Sequence, residues 1–391
     1  MALTNTGSGL RRFESVPHLL EELNPSYPVF CIWPEVLRER ARQFVEGFAG
    51  RTLYAVKCND HPVIMKTLYE AGITAFDTAS LPEIAMTREL FPDADCYFNH
   101  PVKGRAALEA AAREYGMRDY VVDHGSELKK IHETIPHLLD KPPVIEVRLA
   151  TSGDTALFNL SEKFGCSPVE GTDLLRQAVD LGFEVALCFH VGSQCTSPKA
   201  YVEAIKMAAS VRDSAGVTLN YLDIGGGFPA AYENEVPSLE EYFAVIEQAR
   251  QKYGFDCPLL AEPGRALVAD ACSVVTQVNL RKGSAVYLNE GFYGTLAEIK
   301  LGQIRAPSDV YPRGRAHGNA QETFSLFGPT CDCIDGVDLP FQFPADIEEG
   351  DWIAFHRMGA YSLTLATGFN GFRTDMIVEM AGWPDWIPRH S

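Results

Sequence analysis

Short apolar runs alternate with longer amphipathic intervals between residues 35 and 268. Each interval is long enough for a helix, and the intervals 82–90 and 238–252 space their apolar residues near the helical period of 3.6. Alternating strands and helices predict a parallel sheet, and eight such units predict a (β/α)8 TIM barrel in the α/β class. The eight predicted strands are 53–57, 75–77, 95–99, 119–123, 144–148, 185–190, 219–223 and 259–262.

The pattern changes after Arg265. Apolar runs are now separated by Gly, Pro and Asp turns, with no clear helical interval, which predicts an all-β C-terminal domain. We expect the early run 29–33 to join that domain. The predicted organisation is an N-terminal segment 1–34, a barrel 35–268 and a β domain 269–391. The predicted β-domain strands are 274–279, 285–288, 323–327, 352–355 and 376–380.

Composition narrows the classes of partner. The 391 residues carry a net charge of −18, which argues against nucleic acids and anionic membranes as partners, since both attract Lys and Arg. No signal peptide and no membrane span is apparent, so we expect a cytoplasmic protein. The ten cysteines are scattered and form no pattern of metal ligands, so we expect free thiols and no metal site.

Polar residues stand at or near the carboxyl ends of seven of the eight predicted barrel strands. Strand ends are often polar simply because loops are polar. Seven such positions, with both charge signs represented, weigh against that interpretation, because active sites of these barrels are built at this rim. The residues are Lys57, Asp77, Asn99, Arg148, His190, Asp223 and Glu262.

Three of these rim segments suggest pyridoxal 5'-phosphate (PLP) as a cofactor. Apolar residues flank Lys57, so we expect burial to lower the pKa of its amine and to suit it to a Schiff base; a snorkelling lysine is equally compatible. The run Gly225–Gly226–Gly227 can cradle a phosphate, or can be an ordinary loop. In Glu262-Pro-Gly264-Arg265, the carboxylate suits a pyridinium nitrogen and the guanidinium suits phosphate, unless the two are a plain ion pair.

The chain resembles the fold-type III PLP-dependent decarboxylases, the family of ornithine, diaminopimelate and arginine decarboxylases, whose fold is an alanine racemase-like barrel with a β domain. Within it the chain is most similar to the bacterial-type ornithine enzymes. Its motifs occur in the family order: Y-A-V-K-C-N, F-D-T-A-S, K-F-G, H-V-G-S, D-I-G-G-G-F-P, E-P-G-R, G-P-T-C-D, G-A-Y and F-N-G-F.

The resemblance implies a role for each matching residue. Lys57 would form the Schiff base, His190 would stack on the PLP ring, and Glu262 would bind the ring nitrogen. Cys331 would protonate the substrate carbon. Asp77 and Arg148 would support the lysine and the ring, and the phosphate would be held by Ser193, Gly225, Gly226, Gly227, Gly264, Arg265 and Tyr361. Asp332 would bind the distal amine of the substrate, Phe369 would line the pocket, and Lys163 and Asp335 would pair between subunits of a homodimer with shared sites.

One departure affects the substrate. Leu301-Gly302 stands where the eukaryotic ornithine enzymes carry Tyr-Asp, and we expect Glu298 to supply the missing carboxylate. The resemblance implies decarboxylation of L-ornithine to putrescine in polyamine biosynthesis. The alternatives are a decarboxylase of L-lysine or another diamino acid, possibly bifunctional, an amino-acid racemase, and a non-catalytic binding protein like the antizyme inhibitors.

Overall fold

Two sheets organise the chain, a closed barrel of eight strands and a mixed sheet of nine. The computed structural model describes residues 9–154, 156–158 and 160–388. None of the helices within these ranges is both long and apolar enough to cross a bilayer. The elements that precede the barrel are β1 (Arg12–Phe13), α1 (Val16–Leu23), β2 (Val29–Ile32) and α2 (Pro34–Gly47).

The barrel prediction is confirmed, because all eight predicted strands pair in parallel in the closed order β11-β12-β3-β4-β5-β6-β7-β9. Two further strands, β8 and β10, form a small antiparallel pair that the sequence analysis missed. In chain order the strands are β3 (Arg51–Ala55), β4 (Ala75–Thr78), β5 (Asp95–Phe98), β6 (Asp119–Val122), β7 (Val144–Leu149), β8 (Ala156–Phe158), β9 (Glu184–Phe189), β10 (Ser193–Cys195), β11 (Leu222–Asp223) and β12 (Leu259–Ala261).

Helices cover the outside of the barrel, and several begin at serine caps. Ser238 Oγ accepts a hydrogen bond from the amide of Glu241, and Ser167 forms a reciprocal capping box with Glu170. The helices are α3 (Pro62–Glu70), α4 (Leu81–Leu90), α5 (Arg105–Tyr115), α6 (Gly125–Thr134), α7 (Pro168–Asp180), α8 (Lys199–Ala215), α9 (Leu239–Lys252) and α10 (Arg265–Val268). Short 3-10 turns lie at Val56–Cys58, Pro136–Leu138, Ala269–Ala271 and Phe369–Gly371.

The barrel interior changes from apolar to polar along the strands. A small hydrophobic cluster fills one end, and it consists of Leu53, Ala75, Tyr97, Val144, Ala186, Tyr221 and Leu260. Because side chains alternate along a strand, the residues two positions further on share the same inner face. These are Ala55, Asp77, Asn99, Glu146, Cys188, Asp223 and Glu262. The apolar layer therefore supports a layer of acids and amides, and the candidate site lies on top of it.

The second sheet has the order β1-β19-β2-β13-β14-β16-β17, with β18 joining β13 to β15. The strand β2 pairs with β13 and β19, so the segment before the barrel contributes to this sheet. Its remaining elements are β13 (Cys272–Lys282), β14 (Ala285–Leu288), α11 (Ala297–Leu301), β15 (Ser308–Tyr311), β16 (Gln321–Phe327), β17 (Gly336–Pro344), β18 (Trp352–His356) and β19 (Met376–Met380).

The sequence analysis missed β1, β15, β17 and α11 in this region. Pro340 interrupts the strand pattern of β17, and it is tolerated because β17 lies at the edge of the sheet, where one side needs no ladder partner. The helix α11 has only five residues, too few for a helical period to show in the sequence.

Candidate active site

Lys57 lies in the 3-10 turn that follows β3, and its amine contacts a buried carboxylate on the next strand. Lys57 Nζ is 2.6 Å from Oδ2 of Asp77, which is itself 1% exposed, while 42% of the Lys57 side chain stays exposed. Burial by itself lowers the pKa of the Lys57 amine. The negative charges of Asp77 and Glu262 raise that pKa by a larger amount, so the net shift is upward. The expectation of a lowered pKa was therefore wrong, because the carboxylates outweigh desolvation.

Glu262 lies at the end of β12, and Asn99 holds it from across the barrel. Asn99 Nδ2 donates a hydrogen bond to Oε1 of Glu262. Burial and the charge of Asp77 raise the pKa of Glu262, while Lys57 and Arg148 oppose that rise. Sequence analysis named Asn99 only as a strand end. Its position on the same inner face as Asp77 and Glu262 was the available signal of this contact.

Two further acids lie in the same buried layer as Glu262. Glu146 and Asp223 are fully buried, and desolvation together with the neighbouring carboxylates raises the pKa of both, that of Glu146 to about 8. Three carboxyl groups in one desolvated layer cannot all ionise at neutral pH. Glu262 is the member closest to the cations of the rim, so it is the one best placed to carry a charge.

His190 follows β9 in surroundings that favour the neutral imidazole. Burial, and next the charge of Arg148 and Lys57, hold the pKa of His190 well below its usual value. Its Nδ1 accepts a hydrogen bond of 3.0 Å from the amide of Gly192, which leaves the proton on Nε2. A neutral, fixed imidazole is suited to packing flat against an aromatic ring. The guanidinium carbon of Arg148 lies 5.5 Å from the centre of the Phe164 ring at this rim.

The glycine run after β11 packs so closely against neighbouring backbone that it has no room for side chains. Gly225 and Gly227 have φ of +68° and +106°, a region that favours glycine. A Cβ at Gly226 would lie 2.5 Å from the carbonyl oxygen of Glu262 and 3.2 Å from Nε2 of His190. At Gly264 a Cβ would lie 2.8 Å from Cβ of Cys58. Glycine is therefore required in this loop, which we call the glycine cradle, and the loop presents no side chain between its backbone and a ligand.

Arg265 lies beside this cradle, and its guanidinium forms an ion pair with the carboxylate of Glu298. Arg265 Nη1 donates to Glu298 Oε2 at 2.8 Å, and Nη2 donates to Oε1 at 2.5 Å. Nη2 also reaches Ser193 Oγ at 3.2 Å, and the ring of Tyr361 lies 5.2 Å from the guanidinium carbon. The structure thus brings Ser193, Arg265 and Tyr361 together as expected. It also places the carboxylate of Glu298 on Arg265, and the expected role of Glu298 toward a substrate amine stays a prediction.

Contacts among side chains form a second cluster, which consists of Tyr293, Cys331, Asp332, Phe369 and Asn370. Tyr293 OH donates to Asp332 Oδ2 at 2.7 Å, and this hydrogen bond lowers the pKa of the carboxyl group. The exposed thiol of Cys331 is 3.4 Å from Asn370 Oδ1, and the exposed ring of Phe369 is 4.5 Å from that of Tyr293. Within the described ranges, no hydrogen bond, ion pair or ring contact joins this cluster to Lys57.

The two residues expected to pair between subunits have contacts within the chain. Lys163 Nζ lies 4.8 Å above the ring of Phe164. Asp335 is 3% exposed, and its carboxylate accepts hydrogen bonds from the amides of Phe292 and Thr330. Asp335 therefore organises the turn that carries Cys331 and Asp332, and an intersubunit pair with Lys163 stays a prediction.

The residues at the rim fit PLP. The site offers an amine for the aldehyde, a carboxyl group for the ring nitrogen and a glycine cradle beside an arginine for the phosphate. Several polar atoms there are buried without a hydrogen-bond partner in the described part of the chain, which is typical of a site that receives a polar ligand. They are Asp77 Oδ1, Asn99 Oδ1 and Arg265 Nε.

Comparison with known proteins decides the family. Residues 35–269 match the family described as pyridoxal-dependent decarboxylase, pyridoxal binding domain. The chain belongs to this family of PLP-dependent decarboxylases. Ornithine decarboxylase of Mus musculus is 33% identical over 359 residues, which cover 85% of this chain and 76% of the mouse protein.

Solved structures support the same assignment. The arginine decarboxylase of Paramecium bursaria Chlorella virus, bound to agmatine, superposes with a TM-score of 0.83 at 28% identity, covering 94% of this chain and 99% of the viral one. The lysine/ornithine decarboxylase of Vibrio vulnificus, complexed with putrescine, superposes with a TM-score of 0.80 at 29% identity, with the same coverage. The chain is thus a PLP-dependent decarboxylase of basic amino acids, and these relatives act on different ones.

Proposed function

We propose that the chain decarboxylates L-ornithine to putrescine and CO2, a step of polyamine biosynthesis, as a homodimer with shared active sites. When bound, PLP accepts the electron pair of the bond between the substrate Cα and its carboxylate. The residues of this chain bind and orient the reactants and exclude water. They also hold the protons that the reaction needs.

The rim residues divide these tasks. Lys57 would hold the aldehyde carbon between turnovers, and Asp77 would hold the amine in place when it is released. Glu262, held by Asn99, would accept a hydrogen bond from the protonated ring nitrogen of PLP. The neutral imidazole of His190 would pack on the PLP ring. Arg148 would keep positive charge beside Glu262, and the phosphate would be held by Ser193, Gly225, Gly226, Gly227, Gly264, Arg265 and Tyr361.

The separation of the two clusters is the observation that supports a shared site. Asp332 has the charge to bind an ammonium group and Cys331 has an exposed thiol to donate a proton, but neither contacts Lys57 in its own chain. Several large apolar side chains around them are exposed, which is typical of a surface that another chain covers. They are Leu301, Ile334, Leu365, Phe369 and Phe372. Cys331 and Asp332 of one subunit would complete the barrel site of the other.

A lysine decarboxylase is the second candidate, and Gly302 favours it. This position has no side chain, and Glu298 is bound to Arg265, so Asp332 is the carboxylate that remains for the distal amine. One carboxylate without a second partner discriminates weakly between substrates that differ by a methylene, a difference of about 1–3 kcal/mol. The chain is therefore compatible with both ornithine and lysine as substrates, and its Gly-Pro-Thr-Cys-Asp motif favours such a diamine-forming substrate over diaminopimelate.

Product analysis by mass spectrometry tests the proposal. The purified protein with PLP would receive ornithine, lysine, arginine and diaminopimelate together, and Lys57→Ala would serve as the inactive control. Putrescine as the dominant product would support ornithine. Cadaverine as the dominant product would favour the lysine alternative. A racemised amino acid without CO2 would contradict decarboxylation, and binding of PLP without any turnover would favour the non-catalytic alternative.

A further inference from the structure

The contacts of Arg265 leave little of its guanidinium free. The side chains of Arg265 and Glu298 are 3% and 8% exposed, and the two Nη atoms donate to both carboxylate oxygens. Nη1 also donates to Tyr232 OH at 2.8 Å and Nη2 to Ser193 Oγ at 3.2 Å. Four N–H groups on the two Nη atoms therefore have partners. Nε is buried, and it has no hydrogen-bond partner within the described residues.

The same contacts determine the charge that a phosphate would meet. The carboxylate of Glu298 neutralises Arg265, while Lys57 is paired with Asp77. A phosphate dianion in the glycine cradle would approach a guanidinium whose charge is balanced, close to a buried carboxylate. Buried like charges repel strongly because little water screens them. To gain two charge-assisted hydrogen bonds from Arg265, the phosphate must displace Glu298 or share the guanidinium with it.

We propose that Glu298 competes with the phosphate of PLP for Arg265, and thereby lowers the affinity of this chain for its cofactor. This inference rests on the proposed role of Arg265 as a phosphate ligand. Glu298 is a positioning residue in this scheme, since it acts through Arg265 and touches neither PLP nor substrate. With this weaker affinity, the fraction of protein that has PLP bound would change with the cofactor concentration over a higher range than it would with an unpaired arginine.

The test compares PLP affinity between the wild type and Glu298→Gln. Glutamine has nearly the same shape, but it lacks the charge and accepts from only one Nη, so it releases an N–H group for phosphate. A charge-assisted hydrogen bond contributes roughly 1.5–3 kcal/mol, so we expect the Kd of PLP, measured by absorbance titration, to fall by about tenfold or more. Inorganic phosphate should compete with PLP more strongly by a similar factor. Pyridoxal, which has no phosphate, should bind both proteins equally.

Three variants serve as controls. Glu298→Asp keeps the charge and should keep the Kd of PLP near that of the wild type. Glu290→Gln neutralises another buried acid of the same segment, one that binds Thr374 and not Arg265, and should leave the Kd unchanged. Glu298→Ala removes the carboxylate by another route and should tighten PLP binding too, so the test does not depend on one variant folding. Circular dichroism would verify the fold of each.

The outcomes separate this inference from the proposed function. If the wild type does not bind PLP, the proposed function fails with the inference. If the wild type binds PLP through Lys57, but neither Glu298→Gln nor Glu298→Ala strengthens phosphate competition, the inference alone is wrong. Weaker binding of both PLP and phosphate would show that Glu298 holds Arg265 in its binding position, which also overturns the inference.

Discussion

The barrel rim and the second cluster, which contains Cys331 and Asp332, differ in how many of their functional groups have partners within one chain. At the rim, Lys57 and Glu262 each have a partner on another strand, and the layer beneath them is buried. In the second cluster, the thiol of Cys331 and the ring of Phe369 are exposed. One chain thus brings together the groups proposed to bind the cofactor, while the groups proposed for substrate binding and proton donation would need a second surface opposite them.

The largest expected effect is the restoration of activity by mixing two inactive variants. Lys57→Ala removes the amine at the rim, and Asp332→Ala removes the carboxylate of the second cluster, so each homodimer should lose nearly all turnover. In a mixed dimer one of the two proposed sites would be intact, because each would take Lys57 from one chain and Asp332 from the other. Random mixing makes about half of the dimers mixed, so about a quarter of the wild-type activity should return in a co-expressed sample.

The control for this experiment is PLP binding by each variant alone. Asp332→Ala should bind PLP with the absorbance spectrum of the wild type. Lys57→Ala should not show that spectrum, because it lacks the amine that bonds to the aldehyde. If native mass spectrometry shows mixed dimers and no activity returns, the site does not combine residues of two chains, and the comparison above is wrong.

The sequence predicted the barrel and the rim because both follow from periodic patterns. In a parallel barrel the carboxyl ends of all strands meet at one rim. The polar residues at those strand ends are Lys57, Asp77, Asn99, Arg148, His190 and Glu262. Contacts between elements far apart in the chain were not predictable in the same way. The pair Arg265–Glu298 joins the barrel to a five-residue helix, and the upward pKa shift of Lys57 depends on the distance to Asp77. Side-chain geometry of this kind leaves no period in the sequence.

Removal of the thiol should affect the reaction without affecting the rim. With Cys331→Ala, we expect turnover to fall by about 10²–10⁴-fold, because a positioned proton donor is lost, and part of the product to be an aldehyde. Before substrate is added, the absorbance of bound PLP should be that of the wild type; each aldehyde released during turnover would leave the substrate's amino group on the cofactor. Liquid chromatography with mass spectrometry would measure amine and aldehyde. The neighbouring exposed thiol provides a matched control, since Cys333→Ala should leave the product ratio unchanged. Clean amine at the wild-type rate from Cys331→Ala would refute its role.

The ion pair at the rim should control how PLP binding depends on pH. Asp77 raises the pKa of Lys57, and only the unprotonated amine can bond to the aldehyde. The association rate of PLP should therefore increase with pH in the wild type. Asp77→Asn removes the nearest negative charge while burial still lowers the pKa, so association should be several-fold faster at neutral pH and depend less on pH. Stopped-flow absorbance measures the association rate of PLP with the wild type and with Asp77→Asn across the pH range. Asp95→Asn, at the opposite end of the barrel, should leave the profile unchanged; an unaltered profile in Asp77→Asn would contradict the argument.

The smallest expected effect concerns stability and tests the acids beneath the rim. Burial and the neighbouring Glu262 raise the pKa of Glu146 from 4.5 to about 8. The unfolded chain therefore loses this proton at lower pH than the folded chain, so Glu146 reduces the free energy of unfolding progressively between those two values. Glu146→Gln cannot ionise and should escape this loss. We expect Tm to decline less between pH 5 and pH 8 in this variant than in the wild type, by about a few degrees. Exposed Glu109→Gln on α5 should follow the wild type, and an equal decline in Glu146→Gln would show that Glu146 is ionised in the folded protein.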